Sequence, residues 1–311
     1  MAKAQYIGVN GVARKVKKDY IGVGGVARKV KSGYIGVDGV ARKFFSGFDL
    51  LTLPFTYTGA YRDRGVETMQ DGIFRVIEFT SNGTLTFGQS CIADIFAVGG
   101  GASGGAYWRG ASGGGGGYTT TQRDVTFSAN VGISVNIGAG GEAAYYDGGH
   151  GGASGKPGGP TFCTYNGRQI AYAAGGGSNA DSHGGYRWLD GGSGGGGHGE
   201  NGGSNGGNGG GGGGGKGQGT TTREFDLSNS TLYSGGGGGA SDYDDEPIRA
   251  GAGGAGGGGF GMAHDNVSHG SRNATFYGGG GGAFATIYTN RSMRSGSGYQ
   301  GICIFRIKAG A

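Results

Sequence analysis

Apolar and polar positions alternate over residues 73–79, break at Asn82-Gly83 and resume over 84–87. This is the pattern of two strands joined by a tight turn. Residues 90–98 predict another strand, in which Ile92 and Ile95 flank Asp94, and residues 125–137 and 161–173 predict more. The run GICIFRIK, residues 301–308, is the strongest closing strand in the sequence. Together these segments predict one small β-sandwich.

Three copies of a 14-residue unit precede them: YIGVNGVARKVKKD from Tyr6, YIGVGGVARKVKSG from Tyr20 and YIGVDGVARKFFSG from Tyr34. Each sets a β-rich run against Asn10-Gly11, Gly24-Gly25 or Asp38-Gly39. Such dipeptides accept positive φ at both positions, as a type I′ hairpin turn requires. In the first unit the turn pairs Val9 with Val12, Gly8 with Ala13, Ile7 with Arg14 and Tyr6 with Lys15. A lone hairpin is marginally stable, so residues 1–47 read as a docking module that packs on itself or on a partner. Residues 48–72, with apolar anchors Phe48, Leu51 and Leu53 and a Pro54, read as a connector. Residues 73–311 read as a glycine-rich β-sandwich domain.

Glycine supplies 85 of the 311 residues. Its main tracts run through 99–117, 138–159, 175–219, 235–239, 251–261 and 278–282, separated by short segments rich in Tyr, Trp, His, Asp, Asn and Arg. Four prolines and no sustained Gly-X-Y repeat exclude collagen. A flexible linker has no use for aromatic punctuation between its tracts. An extended helix with three residues per turn points every backbone N–H and C=O outward, and only glycine lets such helices stack closely. Ordering a residue costs roughly 1–2 kcal/mol against about 0.5–1.5 kcal/mol for a net hydrogen bond. A bundle therefore needs the sandwich to nucleate it. The fold class expected is mainly β: N-terminal β-hairpin repeats, then a small β-sandwich with an inserted polyglycine II helix bundle.

Charge divides the chain. Residues 1–47 hold ten Lys or Arg against Asp19 and Asp38, a balance of +8, while the remainder carries −3. A basic head suits nucleic acid or an anionic surface, and more plainly an acidic protein partner or simple solvation. Three cysteines (Cys91, Cys163, Cys303) form an odd count without CxxC or metal-type spacing, which argues against a disulfide framework. No apolar run approaches the roughly 20 residues of a membrane span, and the N-terminus does not read as a signal peptide. His264 and His269 lack a zinc pattern, and the acidic run Asp242, Asp244, Asp245, Glu246 lacks EF-hand spacing. HExxH is absent and no GxSxG nucleophile elbow is read, since letter matches such as GASGG at 101–105, like the GxGxxG matches, carry no information in so glycine-rich a chain. No cofactor, metal or catalytic residue is expected.

The YIGVxGVARKVK repeats resemble those at the start of tailed-phage and prophage tail proteins. CIADIFAVGGGASGG, NVGISVNIGAGG and the closing YQGICIFRIK resemble the glycine-rich domain of such proteins. The resemblance implies a virion tail component at the tail tip or on a fibre, made in the host cytoplasm, with a bundle of polyglycine helices whose variable loops contact the host receptor. It implies partners among other tail proteins through residues 1–47, a host cell-surface glycan or protein, no nucleic acid and no membrane insertion; a homotrimer is among the assemblies it allows. A passive structural, coat or ice-binding-like glycine bundle is the alternative, and a cell-wall-degrading tail enzyme a more distant one.

Receptor-binding positions do not transfer by motif, so side-chain chemistry selects them. Aromatic residues and Arg dominate recognition surfaces, and Tyr does so at small entropic cost. The candidates are Tyr107, Trp108 and Arg109; Tyr145, Tyr146 and Asp147; Tyr186, Arg187 and Trp188; and Tyr243 and Asp244. Each could instead cover an edge of the bundle.

Overall fold

The computed structural model describes residues 53–178, 189–211, 213–242, 248–263, 267–268, 272–288 and 292–308, together with six short strands in the first 46 residues. Those six form three antiparallel pairs: Tyr6–Val9 with Val12–Lys15, Tyr20–Val23 with Val26–Lys29, and Ser32–Val37 with Val40–Ser46. In the first pair Val9 lies opposite Val12 and Tyr6 opposite Lys15.

Two five-stranded sheets face one another across the main core. One orders Arg168–Ala173, Thr161–Tyr165, Gly132–Asn136, Gly83–Phe87 and Phe55–Tyr57; the other orders Thr119–Phe127, Cys91–Val98, Ile302–Lys308, Gly72–Phe79 and Tyr61–Met69. The span read as a connector carries two strands of the sandwich. Phe55–Tyr57 and Tyr61–Met69 are the edge strands of the two sheets, tied in by pairs such as Leu85 with Tyr57 and Val66 with Arg75. The expected single strands 125–137 and 161–173 are each divided by a turn. Asn130 (φ 59°) turns the first, and Asn166-Gly167 (φ 49° and 73°) turns the second into a hairpin of the I′ kind.

Period-two geometry sorts the side chains. Odd-numbered residues of the second sheet, including Ile77, Phe79, Ala93, Ile95, Cys303, Phe305 and Ile307, fill the space between the sheets. Even-numbered Phe74, Val76, Phe96, Val98, Ile302 and Ile304 point the other way, where Phe225 and Tyr233 cover them. The closing strand lies between two partners and is packed on both faces, which is why its apolar run is continuous instead of alternating. Arg306 and Asp94 are polar residues on the even face, both buried and joined to each other.

The glycine tracts leave from the ends of these strands. Residues 99–105 continue from Cys91–Val98, and their N–H groups address three neighbours in rotation. Gly99, Ala102 and Gly105 donate to Tyr118, Gly115 and Ser112; Gly100 and Ser103 to Gly159 and Lys156; Gly101 and Gly104 to Tyr299 and Gly296, all at 2.9–3.1 Å. Carbonyls of the same tract reach three more: Gly100, Gly101 and Ala102 accept from Gly176, Gly141 and Gly281 at 2.8 Å. One tract is therefore bonded to six others. Each N–H returns to the same neighbour every third residue. A Cβ on Gly99, Gly100 or Gly101 would overlap the carbonyl of Ala174, Ala139 or Gly279, so glycine here is a condition of backbone contact. On the lattice surface the same period governs exposure: Ala139, Glu142 and Tyr145 are exposed in one tract, and Ser154, Pro157 and Pro160 in its neighbour.

Candidate binding surface at the far end of the glycine lattice

Tract 99–105 and its return 110–118 are antiparallel, so residues 106–109 form the crest of an excursion. Seven extended residues at ~3.1–3.4 Å each carry that crest about 20 Å from the sandwich. Other excursions end at the same level, where short ribbons close the lattice. Ala106–Trp108 pairs with Gly152–Ala153 on one side and Phe284–Thr286 on the other; Met262–Ala263 follows Phe284–Thr286. Gly110–Ala111 pairs with Ala240–Ser241, and Tyr145–Tyr146 with Met293–Arg294. Segments far apart in sequence thus present their side chains on one surface.

Tyr107 is inside this cap, not on it. It is 6% exposed, its hydroxyl shares a 2.8 Å hydrogen bond with Ser154, and its ring occupies the space a Cβ on Gly152 would need. Trp108 is half-buried and donates from Nε1 to the Ile287 carbonyl at 3.2 Å. Its ring meets His150 edge-on, with centroids 4.7 Å apart, and the Arg109 guanidinium lies 4.1 Å from it. Arg109 takes φ 72° at the turn, and its carbonyl accepts from the Asp242 N–H at 2.6 Å. The Asp242 carboxylate is buried and accepts from the Ile287 N–H at 3.0 Å, locking two crests together.

Tyr145 is 59% exposed, and its hydroxyl donates to Asp147 at 3.2 Å. Asp147 also accepts from the Ser292 hydroxyl at 3.1 Å. Tyr146 is half-buried, with its hydroxyl against the loop at Gly149 and Gly151. Gly148 and Gly149 turn that loop with φ 98° and 101° and bring His150 to Trp108. Trp108, Arg109 and His150 therefore form one contact group, and Tyr145 with Asp147 a second on a neighbouring ribbon. Tyr186, Arg187, Trp188, Tyr243 and Asp244 fall outside the described residues.

His150, Ile287, Tyr288 and Arg294 belong to this end and did not stand out by composition. Tyr288 follows a ribbon, Phe284–Thr286, whose position depends on pairing with Trp108. Burial lowers the pKa of His198, which packs against Gly110 beside the same crest. Burial and the neighbouring Arg294 likewise lower the pKa of Arg272, which lies over the Phe284 ring.

A concavity of about 450 Å³ lies at the sandwich end between Tyr61–Met69 and residues 224–231. Its Arg64 binds Glu67, Glu78 and Glu224 at 2.7–3.2 Å, so the carboxylates there already have a cationic partner. Among the described residues no group of three His, Cys, Asp or Glu is placed to hold a metal ion, and no helix is long and apolar enough to cross a membrane.

Residues 80–308 match the family model described as a glycine-rich domain. That span takes in most of the sandwich and every excursion of the lattice. No curated protein matches the chain at a significant level.

Proposed function

The chain belongs to the glycine-rich domain family, and within it we propose a phage virion tail-tip or fibre protein that acts as an adhesin. In this reading the glycine body is a polyglycine II helix bundle inserted in the sandwich, since bond direction repeats every third residue as in a threefold extended helix. The crests at its far end meet a host cell-surface glycan or protein. Residues 1–47, three hairpins with a +8 balance, dock to other tail proteins. The protein binds and does not catalyse.

One observation carries the reading: Trp108, Arg109 and His150 packed together, with Tyr145 and Asp147 on a neighbouring ribbon, at the end opposite the sandwich. A rigid lattice holding aromatic and Arg side chains at its tip suits recognition, because little side-chain freedom remains to be lost on binding. The test is adsorption of particles carrying Trp108→Ala with Tyr145→Ala. Reduced adsorption with an unchanged melting temperature supports the assignment; unchanged adsorption overturns it.

The exposed rows at every third residue favour a second reading, a passive coat or ice-binding bundle. Glu142 and Lys156, paired at 2.7 Å on that surface, make it a charged face. Thermal hysteresis of the purified protein would establish the ice-binding alternative.

A further inference from the structure

Cys163 and Cys303 lie 140 positions apart in sequence, on opposite sheets, and their sulfurs are 3.3 Å apart at the centre of the core. Both are fully buried. Cys163 stands in the middle of its strand, opposite Val135 and Ala171, and Cys303 opposite Phe79 and Ala97. We propose that this pair is a modification site: an inter-sheet disulfide that forms when the protein meets an oxidising small-molecule disulfide.

Bonding distance is ~2.05 Å, so the sulfurs need to approach by about 1.2 Å, through χ1 rotation together with a local closing of the two sheets. The third thiol is excluded by register. Cys91 begins the strand on which Ala97 faces Cys303, and six strand residues separate those levels by about 20 Å. An odd cysteine count therefore resolves into one pair and one bystander.

The chemistry balances by exchange. One protein thiolate attacks the small-molecule disulfide and releases one small thiol. The second protein thiol, losing its proton, attacks the mixed disulfide and releases the other. Two protein thiols are oxidised to one S–S bond, and one external disulfide is reduced to two thiols. Burial, and after it the hydrogen bond with Cys163, raises the Cys303 thiol well above its ordinary range. Cys303 is thus held as the thiol in the closed sandwich, and exchange proceeds while the sheets are forming or locally open.

The loop so closed contains every tract from residue 174 to 301, so the link joins, across the core, strands close to the two ends of that part of the lattice. The test is refolding of the full chain from denaturant in a buffer of reduced and oxidised glutathione, beside a fully reduced control. The expected result is one titratable thiol after unfolding, a Cys163–Cys303 peptide by mass spectrometry, and a melting temperature raised by roughly 10 °C. Three titratable thiols, or a linked peptide containing Cys91, would overturn it. In Cys163→Ala and Cys303→Ala the difference between oxidised and reduced melting temperatures disappears; if it persists, the proposal fails. Should either variant not fold, thiol titration and peptide mapping of the unaltered chain decide alone.

Discussion

The Arg306 Nε donates to Asp94 Oδ2 at 2.8 Å, and both side chains are almost wholly removed from water. The remaining guanidinium donors reach Asp71 at 2.7–2.8 Å, and the rings of Phe74 and Phe225 lie 4.2 and 4.4 Å from its Cζ on the two sides. The closing strand is thus bonded by charge to the strand beside it and to the Asp71 turn, and is covered by the 3-10 turn that carries Phe225. Breaking one member of a buried pair leaves an uncompensated charge, at a cost of ~3–5 kcal/mol. Arg306→Met and Asp94→Asn are each expected to lower the denaturation midpoint sharply. A double-mutant cycle should show a coupling well above the scatter of independent sites.

Acid should weaken the same region. Burial alone would raise the Asp94 carboxyl, but the Asp124 N–H, Lys308 and Arg306 outweigh it and hold its pKa below the ordinary range. Asp71 and Asp63 are lowered in the same way by Arg306 and Arg75 against the effect of burial. Because the folded values lie below the unfolded ones, this stabilisation is present above pH ~4 and is lost as pH falls through the depressed values. Glu224 has the opposite sign: burial raises it, and Arg64 and Tyr233 only partly offset that. Just above its unfolded value the folded state holds the extra proton there, so this group opposes the trend. Melting measured from pH 6 to pH 2 should fall, and more steeply in Glu224→Gln.

Gly101→Ala should destabilise the lattice by about 3 kcal/mol, since the new methyl overlaps the backbone of Gly279 and neither tract can give way without losing bonds. Ala139→Ser, at an exposed third position, should leave stability within about 0.5 kcal/mol. Urea denaturation of both variants checks the contrast.

Tyr107 and Trp108 are neighbours with different work. Tyr107→Ala removes a buried ring and should cost ~3–5 kcal/mol of stability. Trp108→Ala should leave melting close to the unaltered protein and, in the adhesin reading, weaken adsorption about tenfold or more. Adsorption rate and melting temperature, measured together, separate the two roles.

Much of the sandwich was legible because alternation and Asn-Gly turns are local signals: Gly72–Phe79, Gly83–Phe87 and Ile302–Lys308 stand close to where patterning put them. Asn166-Gly167 carries the same turn signal and was hidden inside one long apolar stretch. The edge strand Tyr61–Met69 was hidden for another reason. Its Gly65 bulge (φ 79°) shifts the register and breaks the alternation. In the candidate surface, side-chain chemistry could not tell Tyr107 from Trp108, because the difference in their burial arises from the space left by Gly152. The approach of Cys163 to Cys303 had no trace in sequence spacing, since sheet register alone produces it.

The rotation of hydrogen bonds in tract 99–105 has a consequence for how such a chain can vary. Donor direction in this tract recurs every third residue, so each residue addresses the neighbour that the residue three before it addresses. An insertion of three residues on each side of a crest lengthens the rod without changing its phase, whereas one of a single residue misdirects every bond beyond it. The crest itself, outside the repeat, is free of that arithmetic. Length changes in threes are thus the ones that this bonding pattern absorbs along the tract.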